Sequence, residues 1–374
     1  MKFIRGINVG RVEIGQQKTV ERKDDIEMEL QWNWEYLTEV MEKLIATPSP
    51  VSYYDEILPL VEEYAAKFGY PVTYDRKNTP YITLEGEDNS KTVMVGAHMD
   101  TLGLMVRKIE KDGTLRVRQL GGVSFQSIEG ETMTVHTRSG KSYTGLMVCQ
   151  SHSTHVFDDA RSLERDENTM MISLDEKVET REDVLALGIR HGDVISFDPH
   201  CTITENGYVK SRFIDDKMAV AAVFAALKYM TENGLKPKYR TLLSFPFYEE
   251  INHGGAYIPP EVEEFVAIDI GLIGPDYDGN ERTVSICVKD NFSPYDRNLT
   301  GKLIAEAEAN NIKHAIDIFY RYGTDANAAV RAGNNVRGAA FGMACYCSHG
   351  MERTHLDGVV ETVKLAVAYM MDWK

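Results

Sequence analysis

The residues with the most chemistry in this sequence stand at the ends of apolar runs. His98 follows Thr92-Val93-Met94-Val95-Gly96-Ala97, Glu249 and Glu250 follow Leu242-Leu243-Ser244-Phe245-Pro246-Phe247, and Asp269 lies near the end of Phe265–Ile270. Asp215 and Asp216 stand just before a helical stretch that begins near Lys217, and His349 follows the run 338–343 in a loop. Imidazoles and carboxylates together suit zinc, manganese or cobalt. Two such ions, about 3.5–4 Å apart, need a bridging carboxylate and terminal ligands on either side. Asp215 as the bridge, with His98, Asp269, Glu250 and His349, supplies one complete set. Asp100, two residues after His98, is placed to orient that imidazole from behind.

The adjacent glutamates cannot easily share one role. Neighbours in an extended chain point to opposite faces. One then reaches a metal while the other faces a water that the metals polarise, which suits a ligand beside a general base. Each residue taken singly has an ordinary explanation: an Asp-Asp pair caps a helix, and a Glu-Glu pair is solvated surface. The combination argues for a metal centre, because the glutamates follow a strand of buried composition.

Such residues meet only if the elements before them share an edge. Short apolar runs alternating with helical patterns read as a mainly parallel sheet, and the carboxyl ends of parallel strands line a ligand crevice. Tyr36, Leu37, Val40, Met41 and Leu44 recur at helical spacing within about 30–67, interrupted at Thr47-Pro48-Ser49-Pro50. Strands are expected at 92–97, 241–247, 265–270 and 315–319, and helices at 217–233, 299–310 and 359–372. Between about 103 and 209 the texture becomes alternating, as in Leu115-Arg116-Val117-Arg118, with turn signals such as Arg138-Ser139-Gly140-Lys141. The expected fold is therefore α/β: a catalytic domain over 30–101 and 208–374, a small β-barrel-like domain inserted at 102–207, and an N-terminal extension over 1–29.

Composition removes several alternatives. The chain has 374 residues, 43% of them hydrophobic, and a formal charge of −16. A surface of that sign repels nucleic acid and anionic lipid. The most apolar helical stretch begins at Met218 and meets Lys228, well short of the roughly 20 residues a membrane span needs. No apolar run follows Met1-Lys2-Phe3-Ile4-Arg5-Gly6, so a signal peptide is not expected and the cytoplasm is the expected compartment. The five cysteines suggest no disulfide framework, and Cys345-Tyr346-Cys347 lacks the partner pair of a thiolate zinc site.

The ordered motifs resemble those of the tetrahedral (TET) aminopeptidases, a family of glutamyl and deblocking aminopeptidases that includes proteins once labelled endoglucanases. Ala97-His98-Met99-Asp100, Phe213-Ile214-Asp215-Asp216-Lys217, Tyr248-Glu249-Glu250-Ile251, Ile268-Asp269-Ile270 and Gly323-Thr324-Asp325-Ala326 follow the family's order and spacing from about Leu30 to the C-terminus. Within the insert, Leu187-Gly188-Ile189-Arg190-His191-Gly192-Asp193 is similar to the family's Leu-Gly-Ile-x-x-Gly-Asp run. The resemblance implies a cytoplasmic metallo-aminopeptidase that uses two divalent ions, zinc or cobalt, to hydrolyse N-terminal residues from short peptides. It implies Glu249 as base, Glu250 as ligand and Asp215 as bridge. It also implies a homo-oligomer built from dimers through the inserted domain, up to a dodecamer. The chain departs from the pattern near the site: Thr101-Leu102 replaces Glu-Ile, Lys217 replaces Arg, Tyr248 replaces Gln, and Asn252-His253-Gly254-Gly255 replaces Gly-Leu-Arg-Gly. Around the last histidine, Tyr346-Cys347-Ser348-His349 replaces Arg-Tyr-x-His, and His355 stands close by as the alternative ligand. A subgroup of such peptidases is associated with the synthesis of a small peptide-like osmoprotectant. The alternatives are a hydrolase of another amide, such as an N-acyl amino acid or a blocked dipeptide, and a non-catalytic assembly protein; the latter is disfavoured because every ligand and the base are present.

Overall fold

A computed structural model of the chain describes residues 34–372; the extension expected over 1–29 lies outside them. Among the described residues, nine strands form one sheet. Along it run β1 (Val72–Tyr74), β2 (Pro80–Leu84), β12 (Tyr239–Ser244), β3 (Asp88–Gly96), β13 (Val262–Ile268), β17 (Arg337–Cys345), β15 (Val284–Lys289) and β16 (His314–Ile318), with β14 (Gly271–Leu272) paired to β17. The central neighbours β12, β3, β13 and β17 are mutually parallel, so their carboxyl ends lie at one edge. They read as continuous apolar runs because both faces are covered: Val93, Met94 and Val95 in β3, and Phe265, Val266, Ala267 and Ile268 in β13, are all buried.

From Ile214 to Leu227 the helix Ile214–Glu232 is buried on every side, which its run of alanine and valine anticipates. It packs between the helices Trp34–Ala46 and Leu356–Met371. Small side chains at Ala219, Ala221, Ala222, Ala225 and Ala226 let these helices approach.

The alternating segment forms a closed barrel of β4 (Gly103–Ile109), β5 (Leu115–Leu120), β8 (Met170–Leu174), β7 (Ser142–Cys149), β6 (Thr132–His136) and β9 (Val194–Phe197). Its own core includes Leu104, Val117, Met133, Val135, Met147, Ile172 and Ile195. Closure leaves no unpaired strand edge.

Element ends differ from the expected ones by a few residues, with one consequence. The strand before the glutamate pair ends at Ser244, and Glu249–Ile251 forms a 3-10 turn instead of extended chain. Opposite-facing neighbours in a strand therefore do not explain how the two glutamates separate.

Candidate active site

The edge where the parallel strands end carries a cleft of about 500 Å³ whose lining includes Asp215, Glu249, Glu250, Asp269 and His349. Five of the six residues expected to form the metal centre and its base thus meet in one place. The sixth, His98, is buried against them just past the end of β3.

Asp215 sits at the middle of the group. Its Oδ1 lies 3.0 Å from Nε2 of His98, and its Oδ2 lies 3.7 Å from Nε2 of His349. Both imidazoles are held the same way. Nδ1 of His98 donates to the carbonyl of Asp100 at 2.9 Å, and Nδ1 of His349 donates to the carbonyl of Gly122 at 3.0 Å. In each ring Nε2 is then the nitrogen turned toward Asp215. Gly122 follows β5, so the barrel segment helps fix a ligand candidate that lies in the turn after β17 of the large sheet. A Cβ at Gly122 would stand 2.8 Å from Nδ1 of His349, so a larger residue there would displace the ring.

The glutamates diverge from the 3-10 turn. Oε2 of Glu249 is 3.6 Å from Nε2 of His98, while Oε2 of Glu250 is 3.5 Å from Nε2 of His349. Asp100 fixes the turn: Oδ1 accepts from the amide of Glu249 and Oδ2 from that of Glu250, each at 3.2 Å. The orientation of His98 comes mainly from the main chain of Asp100, whose carboxylate lies 3.5 Å from Nδ1. Asp269, one residue beyond β13, donates its amide to the carbonyl of Phe341 at 3.0 Å.

His355 is used elsewhere. Its Nδ1 accepts from the amide of Asp357 at 3.0 Å as the N-cap of the C-terminal helix, and its Nε2 donates to the carbonyl of Asn206 at 2.7 Å. Both ring nitrogens are committed, so His349 is the histidine available to the cleft.

Sequence reasoning passed over Glu352. This buried carboxylate accepts from the amide of Asp215 at 3.1 Å through Oε2 and from that of His349 at 3.0 Å through Oε1. One side chain thus ties together two segments far apart in sequence. The only signal available was its position three residues after His349. Asp216 has a part as well: Oδ2 accepts from the amide of His98 at 3.1 Å.

The electrostatics are those of an acidic cluster that burial resists. Burial raises Glu249, Glu250, Asp269 and Asp216 well above the usual carboxylate range. Burial alone would pull His98 down, but Glu249, Asp100 and Asp215 outweigh it and hold the ring well above its ordinary value. Burial acts upward on Asp215 too, and there His98 and His349 win and lower it. Oε1 of Glu250 and Oδ1 of Asp216 are buried without a hydrogen-bond partner. Ligand atoms of His98, Asp215 and Glu250 lie within 4.8 Å of one another, as do those of His98, Asp216 and Asp269. Buried carboxylates with orphaned oxygens are costly in a protein alone, and divalent cations remove that cost. The donors are nitrogen and oxygen only, the set that suits divalent first-row metals. The residues fit a metal centre.

No helix among the described residues is long and apolar enough to cross a membrane. The profile of the M42 glutamyl aminopeptidase family matches residues 79–365. YhfE of Bacillus subtilis (strain 168) is 38% identical over 333 residues, which is 89% of this chain and 96% of YhfE. The TET aminopeptidase from the marine sediment archaeon Thaumarchaeota archaeon SCGC AB-539-E09 superposes with a TM-score of 0.82 at 18% identity, covering 91% of this chain and 98% of that one. The TET1 peptidase of Pyrococcus horikoshii gives 0.76 at 25% identity, over 90% and 99% of the two chains. With an acidic, histidine-flanked cleft at the end of its parallel strands and that likeness along most of its length, this chain belongs to the M42 glutamyl aminopeptidase family of metal-dependent aminopeptidases.

Proposed function

We propose that the cleft removes N-terminal residues from short peptides with two divalent ions, zinc or cobalt, held on either side of Asp215. The observation behind this reading is the symmetry about that residue: each of its oxygens faces Nε2 of a different histidine. His98, Asp269 and Asp215 would hold one ion, and Asp215, Glu250 and His349 the other. When bound, the pair supplies Lewis acidity toward the scissile carbonyl and lowers the pKa of water.

The remaining work falls to the chain's own groups. Glu249 takes a proton from the attacking water and returns it to the departing amine as the C–N bond breaks. Asp100 and Glu352 keep the base and the ligands in register through main-chain amides.

The TET1 peptidase of Pyrococcus horikoshii can assemble into a tetrahedron or a large octahedral shell. That likeness supports a homo-oligomer here, with 102–207 as an inserted domain that pairs two chains, and a dodecamer as the full assembly. The cytoplasm is the proposed compartment.

Protein reconstituted with zinc or cobalt should hold two ions per chain and release N-terminal residues from a peptide library read by mass spectrometry. Cleavage confined to N-acylated compounds would move the reading to another amide. No cleavage of either class by protein carrying both ions would overturn it.

A further inference from the structure

The turn that carries Glu249 and Glu250 runs on into a second 3-10 turn, Gly254–Ala256. Inside it, the amide of Asn252 donates to the carbonyl of Glu249 at 2.6 Å, and that of His253 to the carbonyl of Tyr248 at 3.0 Å. Carboxylates hold its other amides. Asp100 takes those of Glu249 and Glu250, and Oδ1 of the buried Asp325 takes that of Gly255 at 2.5 Å. A single cation holds its carbonyls: Nζ of Lys77 donates to the carbonyl of His253 at 2.9 Å and to that of Gly254 at 2.6 Å.

Lys77 comes from the hairpin between β1 and β2, far away in sequence, and its backbone is fixed there. Oδ1 of Asp75 accepts from the amides of Lys77 at 2.8 Å and Thr79 at 2.9 Å, and the Tyr81 hydroxyl donates to Oδ2 of Asp75 at 3.4 Å. The half-buried ammonium also lies 6.0 Å from the centroid of the Tyr248 ring, which stacks on His253 at 4.9 Å. Presentation from a fixed hairpin reduces the entropy lost in making these contacts. The two carbonyls converge on one point, so without a cation between them their dipoles repel.

The departures from the family pattern fall at the same place. Gly254 stands where that pattern carries arginine. It packs so tightly on Asp325 that a Cβ there would meet the carboxylate. Residues 249–256 include no arginine or lysine, and Lys77 brings the positive charge in from another segment.

Resting on the aminopeptidase reading, we infer that Lys77 is a positioning residue of the active site, holding the turn so that Glu249 meets the attacking water and Glu250 meets its ion. Lys77 stands behind the turn, outside the lining of the cleft. Its removal therefore acts on turnover and metal affinity and spares substrate binding.

The test compares wild type with Lys77→Met, Lys77→Arg and Arg76→Met, the last removing an exposed charge from the same hairpin. Kinetics are measured on zinc-loaded protein with the library peptide that wild type cleaves fastest, and zinc affinity by competition with a chelating dye. Lys77→Met should lose about 10- to 100-fold in kcat, with KM changed by less than about twofold. It should also bind zinc about 10-fold more weakly. Lys77→Arg should recover part of both losses, and Arg76→Met should show neither. Wild-type kcat and zinc affinity in Lys77→Met, even with a lower melting temperature, would leave the lysine a stabilising role only and overturn the assignment. Equal losses in Arg76→Met would overturn it too, since net charge alone would then explain them. Should wild type hold both ions and cleave nothing, the peptidase reading fails, and the zinc affinities of the three variants then decide for or against the positioning role.

Discussion

Asp100 receives the amide of Glu249 on one carboxylate oxygen, at 3.2 Å, while its own carbonyl holds the ring of His98 at 2.9 Å. One residue therefore sets the position of the proposed base and the tautomer of a proposed ligand. In Asp100→Asn an amide NH₂ would face a main-chain N–H, so one of the two turn contacts is lost. Metal affinity and kcat/KM should each fall by about 10- to 100-fold, with the far-ultraviolet circular dichroism unchanged. Equal metal binding and turnover in the variant would remove Asp100 from this role.

The glutamate pair should separate cleanly. Loss of a general base slows a reaction by typically 10²–10⁴-fold, so Glu249→Gln should keep both ions and lose about that much in kcat. Glu250 faces His349, and its unpartnered Oε1 suits a ligand. Glu250→Gln should instead lose metal, measured by elemental analysis after dialysis. The reverse result would exchange the two roles.

How the pair separates was not legible in the sequence. The strand composition before Glu249 is clear, but Tyr248 and the following residues give no pattern that marks a 3-10 turn, and the turn is set by long-range contacts from Asp100. The parallel core was readable because β3 and β13 are apolar throughout, and the barrel because its strands alternate. His98, Asp215 and Asp269 were readable because strand ends and a helix start locate them. Glu352 was not, since its partners are main-chain amides that leave no trace in residue identity.

The histidine ambiguity has a direct measurement. His349→Ala should lower the metal content toward one ion per chain, because its Nε2 faces Asp215 and Glu250. His355→Ala removes a helix cap, which costs about 1 kcal/mol and leaves the metals in place. Metal loss in His355→Ala with retention in His349→Ala would transfer the ligand.

The metal-free protein should have an unusual pH dependence. Burial raises Asp325 from 3.8 to about 7, with Oδ1 accepting from the amide of Gly255 and Oδ2 unpartnered. Glu249, Glu250 and Asp269 are raised by burial in the same sense. Between about pH 4 and 7 the unfolded chain has released the Asp325 proton while the folded chain still holds it, and the other three carboxylates act in the same direction. The folded state then binds more protons, so stability falls as pH rises through that window. The buried Lys217, pulled down to about 7 by burial, acts in the opposite sense but only above neutrality, where the unfolded chain keeps a proton that the folded one gives up. After chelation, the melting temperature should therefore drop by roughly 5 °C between pH 5 and pH 7. Zinc binds the anionic carboxylates, so adding it should raise the melting temperature far more at pH 7 than at pH 5. Asp325→Asn keeps an acceptor for Gly255 without the titration, and should make the metal-free profile shallower, with Glu249, Glu250 and Asp269 supplying the remaining slope. A chelated protein that grows more stable from pH 5 to pH 7 would mean that these carboxylates are ionised at little cost, and that burial does not poise the cluster for cations.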